Sequence, residues 1–484
     1  MSGGSVVSFD KVGCTAAGSV LLENFDLEAS AGECIVLCGA SGSGKTTVTK
    51  CANGLIPAFE LGIERTGSVT VAGREPATCE MYEMAASAGS VFQNPKSQFY
   101  YLTSNDELAF GLERAGLDVD AIEERVSRTV TDLDVERLLD RAVHKMSGGE
   151  KQSLAFASVA ACDPTVYVLD EPTANLDDES VSVLRSHIAR VLARGRTVMV
   201  AEHRLAFLEG LATRAIVLEG GRAVRDLSGK ELAGLSQSER ASLGLRATRE
   251  ADIPAIGESL CASQDAKPLE SGLSLRGFSV ARRGRELLAV SFDAPRGAVT
   301  GIVGANGTGK STLLHALSGL MSPSAGTVFL DGGALSARQR RKRCASVMQD
   351  VNHQLFGDSV RSECEFSCPP GDPAANFLRI ERVLEALDLS DVHARHPLSL
   401  SGGEKQRLAV ACAELSHRDI VLLDEPTSGL DLRHMVEMGR LLRGLAACGR
   451  IVIVATHDRE FLSLCCDRVF RLVSSEHEEG RMHV

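Results

Sequence analysis

The apolar residues of the chain fall into short, nearly continuous runs separated by longer segments in which apolar residues recur at helical spacing. Such runs occupy residues 33–38, 166–169 and 197–201 in the first half and residues 298–303, 420–423 and 450–455 in the second. Apolar runs of roughly four to eight residues, rich in β-branched side chains, predict strands that are covered on both faces, as in a parallel sheet flanked by helices. The pattern therefore predicts an α/β fold in each half.

The two halves repeat each other in motifs and in spacing. Residues 39–47 read GASGSGKTT and residues 304–312 read GANGTGKST, and each half also carries SGGEKQ, LDEPT and a later histidine. The serine of SGGE precedes the aspartate of LDEPT by 23 residues in both halves, and that aspartate precedes the histidine by 33 residues in both. Such a repeat predicts two copies of one domain.

We place the first copy at residues 1–235 and the second at residues 272–484. Residues 236–271 lack sustained apolar periodicity and are rich in Ser, Glu, Ala and Pro, so we interpret them as a linker with room for a short helix.

Both GxxxxGK[ST] segments stand between a predicted strand and a predicted helix, which is the context that a phosphate-binding loop requires. Glycines let backbone N–H groups point at phosphate, and the helix N-terminus adds a favourable dipole. We expect Lys45 and Lys310 to reach the β- and γ-phosphates of a nucleotide, and Thr46 and Ser311 to bind Mg²⁺. The candidate nucleotide-binding residues of the loops are Gly39, Ser41, Gly42, Gly44, Lys45, Thr46 and Thr47, and in the second copy Gly304, Asn306, Gly307, Gly309, Lys310, Ser311 and Thr312.

A pair of acidic residues ends one apolar strand in each copy. Asp170 and Asp424 come at the strand ends, where a carboxylate faces the phosphate loop, and we expect them to hold Mg²⁺, also through water. Glu171 and Glu425 follow directly, and we expect each to polarise the attacking water, because phosphoryl transfer needs a positioned nucleophile. Capping of the next helix is the alternative role for these acids.

Two further features of each copy suggest contact with phosphate. His203 and His457 follow the next apolar strand at equal spacing, and we expect both to contact the γ-phosphate. A serine and two glycines begin a long amphipathic helix in each copy, and they offer free N–H donors to an anion or simply cap the helix. These candidate residues are Ser147, Gly148 and Gly149 in the first copy and Ser401, Gly402 and Gly403 in the second.

The phosphate loop, SGGE, DEPT and trailing histidine together resemble ATP-binding-cassette (ABC) ATPases over nearly the whole chain, twice. The resemblance implies two P-loop NTPase domains, each with a mainly parallel sheet and flanking helices, a small antiparallel β subdomain and a helical subdomain. In that family two domains pair head to tail, and the SGG of each faces the ATP held by the other. The resemblance thus implies ATP hydrolysis with Mg²⁺ at two composite sites. Since both copies keep every hydrolytic residue, we expect Glu171→Gln and Glu425→Gln to lower the ATPase rate equally.

The segment after the phosphate loop indicates a particular class within this family. Residues 93–98 read QNPKSQ and residues 106–111 read DELAFG, which is similar to the ATPases of energy-coupling factor (ECF) transporters, importers of vitamins and metal ions. The resemblance implies that Gln93 and Gln349 contact Mg²⁺ and the attacking water, and that the stretches after them form grooves for helices of an integral membrane coupling subunit. A small substrate-binding membrane subunit and a peripheral position on the cytoplasmic face of the cell membrane are also implied. The second copy departs from the pattern, since QDV follows its strand in place of QNP.

Composition and net charge argue against several classes of function. The net charge of −12 argues against a general nucleic-acid binder, and no nucleic-acid partner is expected. The sequence has no run of about 20 apolar residues, so we expect no direct insertion into a membrane. Its 14 cysteines include no CxxC pair, and we expect them to be thiols rather than metal ligands. The alternatives to an ECF importer are another ABC transporter ATPase, such as that of a sugar importer, and a soluble tandem cassette protein acting on ribosomes.

Overall fold

The computed structural model describes residues 5–174, 176–259, 265–282, 285–427 and 429–472. The chain divides into two units, Met1–Asp252 and Ile253–Val484, and each contains one copy of the repeated motifs. Among the helices of the described ranges, none combines the length and the hydropathy needed to cross a bilayer.

The first unit contains a central sheet and a smaller antiparallel sheet. Its strands are β1 Val7–Ala16, β2 Ser19–Ala29, β3 Cys34–Gly39, β4 Ile63–Val71, β5 Ala88–Val91, β6 Val166–Asp170, β7 Thr197–Ala201, β8 Arg214–Glu219 and β9 Arg222–Ser228. Its helices are α1 Lys45–Ala52, α2 Leu55–Ala58, α3 Met81–Ser87, α4 Ser104–Arg114, α5 Val119–Leu133, α6 Gly148–Ala161, α7 Asp178–Ala193, α8 Gly229–Gly234 and α9 Gln237–Ser242. The central sheet has the order β5-β6-β7-β3-β8-β9, with β9 antiparallel to β8, and the smaller sheet has the order β2-β1-β4.

The second unit repeats this plan. Its strands are β10 Glu258–Ser259, β11 Gly272–Arg282, β12 Arg285–Pro295, β13 Val299–Val303, β14 Ala325–Leu330, β15 Gly333–Ala334, β16 Cys344–Val347, β17 Ile420–Asp424, β18 Ile451–Ala455 and β19 Arg468–Arg471. Its helices are α10 Lys310–Leu317, α11 Ala337–Arg343, α12 Val360–Ser367, α13 Pro373–Ala386, α14 Gly402–Leu415, α15 Leu432–Ala447 and α16 Arg459–Cys465. The central sheet has the order β10-β19-β13-β18-β17-β16, and the antiparallel sheet has the order β12-β11-β14-β15.

The central strands are buried along their length because apolar clusters cover both faces of each sheet. In the first unit, one cluster joins the smaller sheet and α1 to one face, and the other joins α6 and α7 to the opposite face. The helices α4 and α5 pack against α6 and form the helical subdomain. The fold class predicted from the sequence, with its parallel sheet, antiparallel β subdomain and helical subdomain, is confirmed.

The strand order brings the predicted site loops to one edge of each sheet. In the first unit β6, β7 and β3 are neighbours and parallel, so the loops that follow them leave the sheet side by side. In the second unit β17, β18 and β13 have the same arrangement. Ligands of open α/β sheets bind at this carboxyl edge.

The segment that the sequence assigns to a linker is divided between the units. Residues 236–252 belong to the first unit, which therefore extends beyond the predicted end at residue 235. Arg240, 9% exposed, donates to Asp252 at 2.7 Å and to the carbonyl of Leu235 at 2.9 Å, and Leu245 packs into the apolar cluster of that unit. The short strand β10 instead pairs in parallel with β19 of the second unit.

Candidate functional site

Each phosphate loop is a tight backbone ring that its lysine closes. In the first copy Lys45 Nζ donates to the carbonyl of Gly39 at 3.1 Å and to that of Ala40 at 2.8 Å. Gly44, with φ at 104°, has the left-handed backbone that lets α1 begin directly after the loop. A Cβ on Gly39 would lie 2.1 Å from the carbonyl oxygen of Leu218, so only glycine fits there.

The second loop has the same construction. Lys310 Nζ donates to the carbonyls of Gly304 at 2.6 Å and Ala305 at 3.3 Å, and Gly309, with φ at 98°, precedes α10. In both copies a buried ammonium group and the N-terminus of an eight-residue helix therefore meet at the carboxyl edge of the sheet. Both features favour an anion such as phosphate.

A hydroxyl and a carboxylate lie side by side next to the first loop. Thr46 Oγ1 lies 3.2 Å from Asp170 Oδ1, at the point where α1 begins and β6 ends. Burial, together with the adjacent carboxylate of Glu171, raises the pKa of Asp170 to about 6. In the second copy burial likewise raises the pKa of Asp424, while a hydrogen bond from Ser311 acts in the opposite direction. Paired carboxylates in a buried position are a favourable place for a cation.

Side chains from two other loops contact Glu171. Gln93, after β5, donates from Nε2 to Glu171 Oε2 at 2.7 Å, and His203 Nε2 lies 3.5 Å from Glu171 Oε1. Glu171 has a positive φ of 44°, and its backbone N–H donates to the carbonyl of Ala201 at 2.8 Å. The left-handed backbone turns this side chain toward Gln93 and His203, as the sequence predicts for a shared site.

In the second copy the corresponding glutamate has different neighbours. Glu425 also has a positive φ of 48° and donates from its N–H to Ala455 at 2.8 Å. His457 Nδ1 lies 2.9 Å from Glu425 Oε1, and the hydroxyl of Thr456 donates to Glu425 Oε2 at 2.8 Å. Burial raises the pKa of Glu425, but the charge and hydrogen bond of His457 outweigh it, and the net pKa lies below the usual value. Gln349 occupies the place after β16 that Gln93 occupies after β5.

The SGGE segments are helix starts in both copies. Ser147 caps α6, and Glu150 Oε2 accepts the backbone N–H of Ser147 at 2.8 Å, so the two form a capping box. Ser401 and Glu404 do the same at α14, where the corresponding distance is 2.7 Å. The capping role is therefore present, and the role of these segments and of Gly148, Gly149, Gly402 and Gly403 in nucleotide binding stays a prediction.

An aromatic patch follows each glutamine. In the first unit Tyr100 is 76% exposed, and its ring centroid lies 4.9 Å from that of Phe110 on α4. In the second unit Phe356 is 80% exposed and Phe366 is 74% exposed. We call these surfaces the first patch (Tyr100, Tyr101, Leu102, Phe110) and the second patch (Phe356, Phe366).

Two buried glutamates, to which the sequence assigns no role, support these patches. Glu107 Oε2 accepts the N–H of Tyr100 at 3.0 Å and that of Tyr101 at 2.9 Å. Glu363 Oε2 accepts the N–H of Phe356 at 2.7 Å and that of Gly357 at 2.5 Å. The repeat could have revealed them, because both copies place a glutamate seven residues after the first residue of the turn.

Glu202, to which the sequence assigns no role, lies directly before His203 and is 3% exposed. Its carboxylate accepts hydrogen bonds from the backbone of His203 at 2.7 Å and from the hydroxyl of Thr173 at 2.6 Å. The signal available in the sequence is a departure between the copies, since the second copy has Thr456 at this position.

Comparison with known proteins gives consistent results at three levels. The family model described as ABC transporter matches residues 22–174 and 287–428. A putative ABC transporter ATP-binding protein of Treponema denticola is 42% identical over 445 residues, which cover 91% of this chain and 89% of the relative. The putative HMP/thiamine import ATP-binding protein YkoD of Bacillus subtilis is 32% identical over 477 residues, which cover 93% of this chain and 86% of YkoD.

Solved structures of tandem ABC proteins share the fold. The RNase-L inhibitor structure has a TM-score of 0.62 at 21% identity and covers 98% of this chain and 92% of its own. A model of ribosome-bound archaeal Pelota and ABCE1 has a TM-score of 0.65 at 21% identity and covers 96% of this chain and 76% of its own. The matched sequence family, the duplicated sheet and the convergent loop residues lead to one conclusion: the chain belongs to the ABC transporter family and is a tandem two-domain ATP-binding protein of the kind that hydrolyses ATP.

Proposed function

We propose that this chain is the ATPase of an ECF-type importer of a vitamin or metal ion. In this role it works at the cytoplasmic face of the cell membrane, on an integral membrane coupling subunit that is joined by a small substrate-binding membrane subunit. The observation that carries the proposal is the exposed aromatic patch after Gln93, which lies one short turn from the side chain that contacts Glu171. The name of the B. subtilis relative, which refers to HMP/thiamine import, supports the class of cargo.

The residues at the carboxyl edge fit ATP and Mg²⁺. The hydroxyl of Thr46 and the carboxylate of Asp170 are oxygen donors 3.2 Å apart, the kind of ligand that Mg²⁺ prefers. The glycine-rich ring and Lys45 are placed to hold the phosphates, and Lys310 is placed equivalently in the second copy. When bound, ATP supplies the γ-phosphoryl group, and Mg²⁺ neutralises the charge on its oxygens.

Glu171 and Gln93 would orient the attacking water and link the nucleotide site to the surface of the unit. Glu171 is positioned by its left-handed backbone to accept a proton or hydrogen bond from water, and the amide of Gln93 contacts its carboxylate. Gln98 accepts the N–H of Phe92 and donates to the carbonyl of Ser90, so the turn after Gln93 is tied to the end of β5. This segment ends at the first patch, so a membrane subunit bound there would be mechanically coupled to the hydrolytic site.

An affinity pull-down from detergent-solubilised membranes of the source organism tests the proposal. The bait is the full chain carrying Glu171→Gln and Glu425→Gln, which is expected to retain nucleotide and stable partners. We expect one common hydrophobic subunit with small, varying membrane proteins. Two membrane subunits and no small one would support a sugar-importer type of ABC transporter, and ribosomal proteins with no membrane protein would support the soluble alternative.

Variants of the patches make the test specific. Tyr100→Ser with Phe356→Ser on the same bait should reduce recovery of the membrane subunit at least tenfold. The matched control is Phe59→Ser, since Phe59 is an aromatic residue of similar exposure (68%) outside both patches. Equal recovery with the patch variant and the control would contradict docking at the patches.

A further inference from the structure

Two cysteine thiols of the first unit are in contact inside its core. Cys14 lies near the end of β1 and Cys51 near the end of α1, and their Sγ atoms are 3.6 Å apart. Both side chains are fully buried in the apolar cluster that packs the smaller sheet and α1 against the central sheet. The contact therefore connects the smaller sheet to the helix that begins at the phosphate loop.

A buried arginine lies beside this thiol pair. Arg65 on β4 is the partner of Cys14 in the antiparallel register of β1 and β4. Its side chain is 8% exposed, and its Nη2 donates to Glu75 Oε1 at 2.6 Å, whereas its buried Nη1 has no hydrogen-bond partner among the described residues. A positive group with a donor to spare favours a negative charge nearby in the core.

These neighbours make the two thiols chemically unequal. The hydrogen bond with Cys51 lowers the pKa of Cys14, burial acts in the opposite direction, and the charge of Arg65 adds to the lowering. The same hydrogen bond and burial raise the pKa of Cys51, which therefore keeps its proton. Since the thiolate is the reactive form of cysteine, Cys14 is the nucleophile of the pair, and Cys51 is in position to react with it next.

The second copy has the same elements without the thiols. Val280 on β11 takes the place of Cys14, and Ala316 on α10 takes the place of Cys51, and both are buried. Buried cysteine commonly serves as a small apolar side chain, and here Val and Ala fill the same positions of the fold. Packing alone therefore does not require sulfur at positions 14 and 51, and two thiols in contact beside a cation add chemistry that the second copy lacks.

We propose that Cys14 and Cys51 form a redox-active dithiol, which a hydroperoxide oxidises to a disulfide that lowers ATP turnover at the first nucleotide site. The Cys14 thiolate attacks one oxygen of hydrogen peroxide, the O–O bond breaks, and the hydroxide that leaves takes up the thiol proton and becomes water. The Cys51 sulfur then attacks the sulfenic acid formed on Cys14, and its proton leaves with the hydroxyl group as a second water. Two thiols thus lose two electrons to one peroxide molecule.

The position of Cys14 gives an oxidant access to the pair. The strand that carries it ends shortly afterwards at the exposed turn of residues 17–18, which joins β1 to β2. Ends of hairpins open locally at a small fraction of the cost of global unfolding, and such opening admits a molecule as small as peroxide.

The position of Cys51 gives the disulfide its effect. Bond formation requires the two sulfurs to approach well inside their present contact, which draws β1 and α1 together in a close-packed core. Because α1 begins at Lys45 and Thr46, its displacement moves the groups that close the phosphate loop and lie against Asp170. A misplacement of about 1 Å in such groups can cost about a hundredfold in rate. The inference rests on nucleotide binding by this loop, and it does not depend on import or on a membrane partner.

The test uses the purified, fully reduced full chain, which is treated with hydrogen peroxide, blocked with an alkylating reagent and digested. We expect mass spectrometry to recover a peptide pair joined through Cys14 and Cys51. As this pair accumulates, steady-state phosphate release with saturating Mg²⁺ and ATP should fall by at least one third more than in the control, since the second site keeps its own loop. Dithiothreitol should reverse that loss.

The matched control carries Cys14→Val and Cys51→Ala, which gives the first copy the side chains of the second. Its untreated rate should stay within twofold of the wild type. Any loss caused by other thiols, such as the exposed Cys448, appears in this control as well, so the difference between the two chains belongs to the pair. The single variant Cys51→Ala leaves Cys14 without its partner, and after peroxide it should carry a sulfenic acid on Cys14 that dimedone traps.

Two results would overturn the inference. Absence of the joined peptides at a peroxide dose that fully oxidises Cys448 would show that the thiols are not a redox site. Formation of the joined peptides with phosphate release equal to that of the control would show that the bond does not affect the first nucleotide site. The peptide mapping needs no variant, and if the double variant does not fold, Cys51→Ala serves as the comparison for the rate.

Discussion

At the scale of single residues, the described structure contains a histidine that is held uncharged inside the first unit. His187 on α7 is fully buried, its ring lies 5.4 Å from that of Phe156, and its Nε2 lies 3.1 Å from the carbonyl of Leu133. Burial lowers its pKa to about 4, although the hydrogen bond to the carbonyl of Leu133 favours the charged form. The second copy has Leu441, an apolar side chain, at the corresponding position of α15.

This histidine should make the first unit less stable in acid. The unfolded chain binds a proton at this ring near pH 6.5, and the folded chain does so only near pH 4. The stabilisation is therefore present above about pH 6.5 and is lost as the pH falls toward 4, at a cost of up to about 3 kcal/mol. We expect His187→Leu to reduce the loss of unfolding free energy between pH 7.5 and 5, as measured by urea denaturation. The exposed His144, changed to Leu, should leave that loss as in the wild type, and an unchanged loss in His187→Leu would contradict the prediction.

The site residues that the sequence identified belong to motifs of fixed spacing, whereas the residue that it missed depends on a contact between distant parts of the chain. Lys45, Asp170 and Glu171 belong to motifs whose spacing is dictated by phosphate and metal chemistry, and the structure brings them to one edge as expected. The contacts of Glu202 could not be predicted in this way, because an acid after a strand is equally consistent with a helix cap or an exposed side chain. Its partner Thr173 lies 29 residues away, and only the folded loops reveal the contact.

At the scale of elements, the strands predicted from the apolar runs agree with the observed ones to within one residue at every end. The apolar run at residues 197–201 corresponds to β7 Thr197–Ala201, and the run at residues 33–38 corresponds to β3 Cys34–Gly39. These bounds were predictable because burial on both faces requires apolar residues throughout the strand. The antiparallel strands β1, β2 and β4 were expected only through the family resemblance, since their alternating and interrupted patterns do not by themselves specify pairing.

The turn after Gln93 is held by the buried carboxylate of Glu107, a contact that the periodicity of the sequence could not predict. Both of its hydrogen bonds join one carboxylate oxygen to a backbone N–H, and a bond to a charged group contributes about 1.5–3 kcal/mol, against about 0.5–1.5 kcal/mol for the neutral amide oxygen that Gln would supply. We expect Glu107→Gln to speed hydrogen exchange of the amides of Tyr100 and Tyr101 at least tenfold, as measured by mass spectrometry of the peptide that contains them. The exposed Glu113 on the same helix, changed to Gln, should leave that exchange unchanged. Equal protection in both variants would show that Glu107 does not hold the turn.

At the scale of the whole molecule, the division between the two copies follows tertiary contacts rather than motif content. The motifs of the first copy end near His203, and nothing in composition separates residues 236–252 from the residues that follow. In the structure these residues belong to the first unit, where Arg240 and Asp252 form an ion pair with side chains only 10% and 9% exposed. The boundary at Asp252 thus depends on contacts between residues distant in the chain, which a local reading of the sequence does not contain.

The length of the first unit is therefore testable with two fragments. A fragment of residues 1–252 should unfold cooperatively, whereas a fragment of residues 1–235 should be less stable by at least about 2 kcal/mol, because it loses the burial of Leu245 (3% exposed) and Ala247 (5% exposed) and the anchoring of Arg240. Urea denaturation of both fragments measures the difference. The variant Leu245→Ala in the longer fragment is the matched intermediate, and its stability should lie between those of the two fragments. If the shorter fragment is as stable as the longer one, residues 236–252 contribute nothing to the first unit and belong to a linker, as the composition of residues 236–271 suggested.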